Sequence, residues 1–159
     1  MSVCVIDTVE LQPYGNDRVI VVCGYNADEV IEWFKENNSN PESNNLKKIK
    51  KHFAWFNEII EQIEDCREDL AGMDKDGESA GHGMYAWEEL KTYPRSMFRM
   101  IILKYGFDPT DPSNMTTLCH EVLHLCQEFL PKFLNRDVEK EAEAYFHSHI
   151  VEKIYTLFL

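Results

Sequence analysis

Apolar and polar positions along the chain change period several times, and each change marks an element. Residues 2–12, SVCVIDTVELQ, alternate in part, so that Val3, Val5, Val9 and Leu11 predict one face of a strand that Asp7 interrupts. Pro13-Tyr14-Gly15-Asn16 is turn chemistry and RVIVVCG, from Arg18 to Gly24, is a second β-branched run; together they predict a β-hairpin. Asn26 or Asp28 caps a following helix in which Val30, Ile31 and Phe34 share a stripe and Asn37 and Asn38 begin the exit. After the polar loop NNSNPESNN the period is helical again from about Leu46 to Leu70, with Ile49, Phe53, Phe56, Ile60 and Ile63 on one face and the charges on a solvated one. AGMDKDGESAGHG is a glycine-rich charged loop that lacks the acid spacing and distal glutamate of a calcium loop.

Met84 to Leu90 and Met97 to Tyr105 each predict a strand, the second more firmly because Ile101, Ile102 and Leu103 form an apolar run between aromatic flanks. GFDPTDPSN is a two-proline loop, with Ser113 or Asn114 expected to cap the next helix and Pro131 to end it. Asp137 and Glu139 place acids in the first turn of a last helix running to about Tyr155. The element order predicts the α+β class, with a small, mostly antiparallel sheet.

Composition narrows the function classes. At 159 residues and 44% apolar content the chain is expected to be a single domain, 1–159, around one core. A net charge of −12 disfavours nucleic acid and anionic membranes as partners. There is no apolar run of bilayer length, and the start MSVCVIDTVE carries acids where a secretory signal carries bases, so a soluble cytoplasmic protein is expected. Cys4, Cys23, Cys66, Cys119 and Cys126 are odd in number and include no C-x-x-C pair, which argues against a disulfide scaffold.

The chemistry sits in LCHEVLHLC, where His120, Glu121 and His124 form H-E-x-x-H. With six histidines in 159 residues, roughly 0.02 to 0.03 such matches arise by chance. Zinc needs both imidazoles on one helical face, which i, i+4 supplies; Leu118, Val122 and Leu125 lie on or near the other side, so the helix is expected to be buried there with its histidines turned inward onto a site. Cys119 and Cys126 fall about 100° and about 200° round from the neighbouring histidines and are expected to be small buried residues.

A catalytic zinc needs a third protein ligand. The last helix offers Glu139, Glu141, Glu143, His147 and His149. Glu141 and Glu143 are about 200° apart and cannot both face one ion. An apolar stripe of Val138, Ala142, Tyr145, His149 and Ile150 places Glu141 at its border, with Glu139 and Glu143 solvated.

These residues resemble the small zinc metallopeptidases encoded by phages and prophages, a minimal zincin group with an H-E-x-x-H helix followed by a helix bearing E-A-x-A-Y. Here LCHEVLHLCQEFL is followed by EAEAYF, so Glu141, Ala142, Ala144 and Tyr145 match the second motif, and VVCGYNADEVIEWFKEN resembles the group's first helix and its approach. The resemblance implies a zincin-like fold with an active-site helix and a C-terminal ligand-bearing helix, and one zinc ion on His120, His124 and Glu141. It implies hydrolysis of an intracellular peptide or protein by a zinc-bound water that Glu121 activates. It also favours Tyr145 as the group that steadies the oxyanion, with Tyr105, His149 and His82 as other candidates. The strand from Phe98 to Tyr105, just before the motif helix, is expected to be the sheet edge that receives an extended peptide. Two alternatives use the same residues: a non-catalytic zinc-binding regulatory or interaction module of phage or mobile-element origin, and a metal-free polar network.

Overall fold

The computed structural model describes residues 3–24, 27–38, 46–47, 49–50, 83–89 and 97–159. In chain order these form β1 (Cys4–Glu10), β2 (Arg18–Gly24), α1 (Ala27–Asn38), β3 (Gly83–Glu89), β4 (Met97–Lys104), α2 (Pro112–Phe129), a short 3-10 turn (Leu130–Lys132) and α3 (Lys140–Thr156). The strands make one mixed sheet in the order β1-β2-β4-β3, antiparallel except where β2 runs parallel to β4. No helix among the described residues is long and apolar enough to cross a membrane.

The hairpin forms where the β-branched runs predict it, with Glu10 opposite Arg18 and Val9 opposite Val19. An extra residue, Ile6, then breaks the register, so that Val5 lies opposite Val22 but Asp7 opposite Val21. One inserted residue reverses which side chains face which way. Val9 and Leu11 therefore join the core beneath α2 and α3 while Val5 does not, and the four apolar residues expected on one face are divided between two.

Val19, Ile20, Val21 and Val22 are all fully buried, so β2 has both its faces covered. On one side Val21, Ile101 and Leu103 meet Leu118, Val122, Leu125 and Phe129 of α2 and Phe146, Ile150 and Ile154 of α3. Val30, Ile31 and Phe34 of α1, with Leu46 and Ile49, are buried as well, and α1 packs on β2. Residues 46–47 and 49–50 are helical; the rest of the helix expected to Leu70, and the glycine-rich loop up to residue 82, lie outside the described residues.

Three expectations need correction. β4 is an inner strand between β2 and β3, not an edge. Ile101, Ile102 and Leu103 are buried on both sides of the sheet, a degree of burial that suits a central strand; among the described residues the edges are β1 and β3, of which β3 packs against the motif helix. The cap of α2 is Asp111, whose carboxylate accepts from the Ser113 N–H at 2.8 Å, with Pro112 at the first helical position where its missing N–H costs nothing. Finally, α3 begins at Lys140 and buries Phe146, Ile150 and Ile154, leaving Val138 77% and Tyr145 74% exposed. The i, i+4, i+8 spacing of the larger apolar set rotates the helix so that Phe146, not Tyr145, enters the core.

Candidate metal centre

α2 buries Leu118, Val122 and Leu125 and thereby turns His120 and His124 outward, one above the other. Their Nε2 atoms lie 3.0 Å apart with the rings nearly perpendicular, at 88°. The pair is exposed, a correction to the inward face expected of it. The Nδ1 of His124 lies 3.2 Å from Gln127 Oε1, an acceptor, a contact that suits the tautomer with the proton on Nδ1 and a lone pair on Nε2. That is the tautomer in which an imidazole binds a metal through Nε2.

Glu121, three residues before His124 and so on the neighbouring face of the helix, lies beneath β3 and is 3% exposed. Its Cγ lies 3.4 Å from where a Cβ on Gly83 would stand, an ordinary contact, but that Cβ would come within 2.6 Å of Thr117 Cγ2, so β3 lies this close over α2 because residue 83 has no side chain. Burial pushes the Glu121 carboxyl upward from its ordinary value, while His120, His124 and a hydrogen bond from the Tyr85 main chain pull it down. Its Oε2 is buried with no hydrogen-bond partner.

Tyr85, Trp87, Glu121, His124, Gln127 and Glu128 line a groove of about 370 Å³ between β3 and α2. Its floor is a polar lock. Arg99 of β4, 1% exposed, holds Glu128 through Nε to Oε1 at 2.6 Å and Nη2 to Oε2 at 3.1 Å, and reaches Asp17 at 3.3 Å. Tyr85 donates its hydroxyl to Glu128 Oε1 at 2.6 Å, and the Arg99 guanidinium lies over the Phe129 ring at 5.0 Å. Burial, and then the Glu128 charge and its hydrogen bond, hold the Tyr85 phenol far above its ordinary range, against the Arg99 guanidinium, which pulls it down. Sequence reasoning missed Arg99, Glu128, Tyr85 and Trp87. The available signal was an arginine inside FRMIILK, which a strand can bury only against a carboxylate.

The other expected site residues are dispersed. Glu141 is exposed in the first turn of α3, and among the described residues no group of three or more His, Cys, Asp or Glu side chains is placed to hold an ion. His120 and His124 come together; Glu141 does not join them here. Glu143, expected to be solvated, pairs with Arg136 and is largely buried. Tyr145 faces solvent, and Tyr105 is half-exposed. His149 lines a separate groove with Thr8, Gln12 and Lys153, and His82 lies outside the described residues. His147, one of the five candidates for the third ligand, instead donates from Nε2 to the Cys119 carbonyl at 2.9 Å and ties α3 to the motif helix. Cys126 is fully buried and Cys119 partly so.

The donors present fit a zinc ion in two of the three expected positions: an imidazole pair whose Nε2 atoms converge, with a buried carboxylate beside it. Comparison with protein-family models, with curated proteins and with solved structures gives no match to the chain.

Proposed function

We propose that the chain is a zinc-dependent metallopeptidase of minimal zincin type, with His120, His124 and Glu141 as ligands and Glu121 as general base. The observation that carries this reading is the 3.0 Å approach of the two Nε2 atoms on a helix that also carries Glu121, a buried carboxylate with one oxygen, Oε2, unpartnered. Zinc bound there supplies Lewis acidity that polarises a scissile carbonyl and makes water nucleophilic at neutral pH. Glu121 Oε2 accepts the proton of the attacking water and delivers it to the leaving amine. Gln127 holds the His124 ring in its binding tautomer. The substrate is an extended peptide or protein segment lying along β3, which takes over the edge role expected of the Phe98–Tyr105 strand.

A non-catalytic zinc staple would need the histidines but has no use for Glu121. The test is hydrolysis of unfolded protein substrates by zinc-loaded wild type and by Glu121→Gln, with metal content measured in both. Loss of turnover with metal retained is expected. Equal turnover in the two proteins would sink the assignment of the base, and no turnover by metal-loaded wild type over a broad panel would favour the staple.

A further inference from the structure

A net charge of −12 and a groove containing Glu121 and Glu128 suggest a basic substrate, but the groove's own contacts point elsewhere. Both oxygens of Glu128 are already engaged, Oε1 by Arg99 Nε and the Tyr85 hydroxyl and Oε2 by Arg99 Nη2. The guanidinium beside it is buried and fully charged, so the pair presents little net field to a ligand. A lysine entering beside Trp87 would lose hydration and gain no free oxygen from Glu128 in return. The one unpartnered carboxylate oxygen of the groove, Glu121 Oε2, is the proposed base and is replaced in the Glu121→Gln protein on which binding is read. Glu121 is buried under β3.

What the groove offers outward is different. Trp87 projects on the same face of β3 as Tyr85, two residues before it, and is 49% exposed at the rim beside the exposed His124 and Gln127. A half-exposed indole at the rim of a groove is an anchor for an apolar side chain.

We infer that Trp87 determines specificity: the groove takes an extended peptide that sets an uncharged aromatic or branched aliphatic side chain on the indole, and it rejects lysine and arginine at that position. This rests on the peptidase proposal for its biological meaning, but binding can be measured without turnover.

The probes are blocked, fluorescently labelled heptapeptides of serine and alanine whose central residue is Phe, Leu, Lys or Glu. Anisotropy is read on the full-length, zinc-loaded Glu121→Gln protein at about 0.15 M salt, where long-range attraction by the acidic surface is screened. The Phe and Leu peptides should bind roughly tenfold or more tightly than the Lys peptide, the scale expected from covering an apolar side chain. Trp87→Ala should erase the difference, and Trp87→Phe should restore most of it. A Lys peptide bound as tightly as Phe, a preference that survives Trp87→Ala, or no saturable binding of any peptide overturns the inference. Binding with this preference but no cleavage by wild type leaves the inference standing and counts against the peptidase proposal alone.

Discussion

Arg99 grips Glu128 with two hydrogen bonds, Nε to Oε1 at 2.6 Å and Nη2 to Oε2 at 3.1 Å, and so joins β4 to the helix that carries the histidines. Removing one partner strands the other in a buried site. Glu128→Ala should therefore cost about 3–5 kcal/mol in denaturant unfolding, whereas Gln127→Ala, one residue away and exposed, should cost well under about 1 kcal/mol. Equal losses for the two variants would show that the pair does not anchor the helix.

A Cβ on Gly83 would stand 2.6 Å from Thr117 Cγ2 and 3.3 Å from the Ile102 carbonyl oxygen. Thr117 is β-branched and sits within α2, so its methyl cannot swing away cheaply. Gly83→Ala should destabilise by about 1–3 kcal/mol by lifting β3 from α2. Thr117→Ser deletes that methyl while retaining the hydroxyl that bonds the Ser113 carbonyl at 3.2 Å, so it should recover part of the loss. A double-mutant cycle with no coupling would place the clash elsewhere.

Burial pushes the Cys23 and Cys126 thiols up to about 12, Cys4 adding to the first and Glu143 to the second. Both groups have raised values, so both stay protonated and unreactive as the pH rises through neutrality and well beyond it. Iodoacetamide at pH 8 should label the exposed Cys4 in the folded protein and reach Cys23 and Cys126 only after denaturant is added. Rapid native labelling of Cys126, read by peptide mass mapping, would mean that the face of α2 against α3 is open to solvent.

Much of the fold was legible in the chain because each element announced itself locally. The β-branched runs marked β2 and β4, and the i, i+4 histidines with Leu118, Val122 and Leu125 marked the faces of α2. What was not legible depended on partners distant in sequence. The bulge at Ile6, the inner place of β4 and the rotation of α3 that buries Phe146 and exposes Tyr145 are each decided by packing between elements, not by local period. The Arg99 lock is the extreme case, since its contacts come from residues 82, 29 and 14 positions away in Asp17, Glu128 and Tyr85. At the candidate site His120, Glu121 and His124 were readable from a five-residue motif, while whether a residue of another helix joins them depends on tertiary geometry that no spacing rule supplies.

The most direct test of a zinc site built on His120 and His124 is metal content by plasma mass spectrometry on untagged, dialysed protein. About one equivalent of zinc is predicted in wild type, lost in His124→Ala and in Glu141→Ala and retained in Glu143→Ala, with the circular dichroism of each variant confirming its fold. Zinc retained by Glu141→Ala but lost by Glu143→Ala would overturn the third-ligand assignment. No zinc in folded wild type, even after it is added back, would contradict the account at its centre.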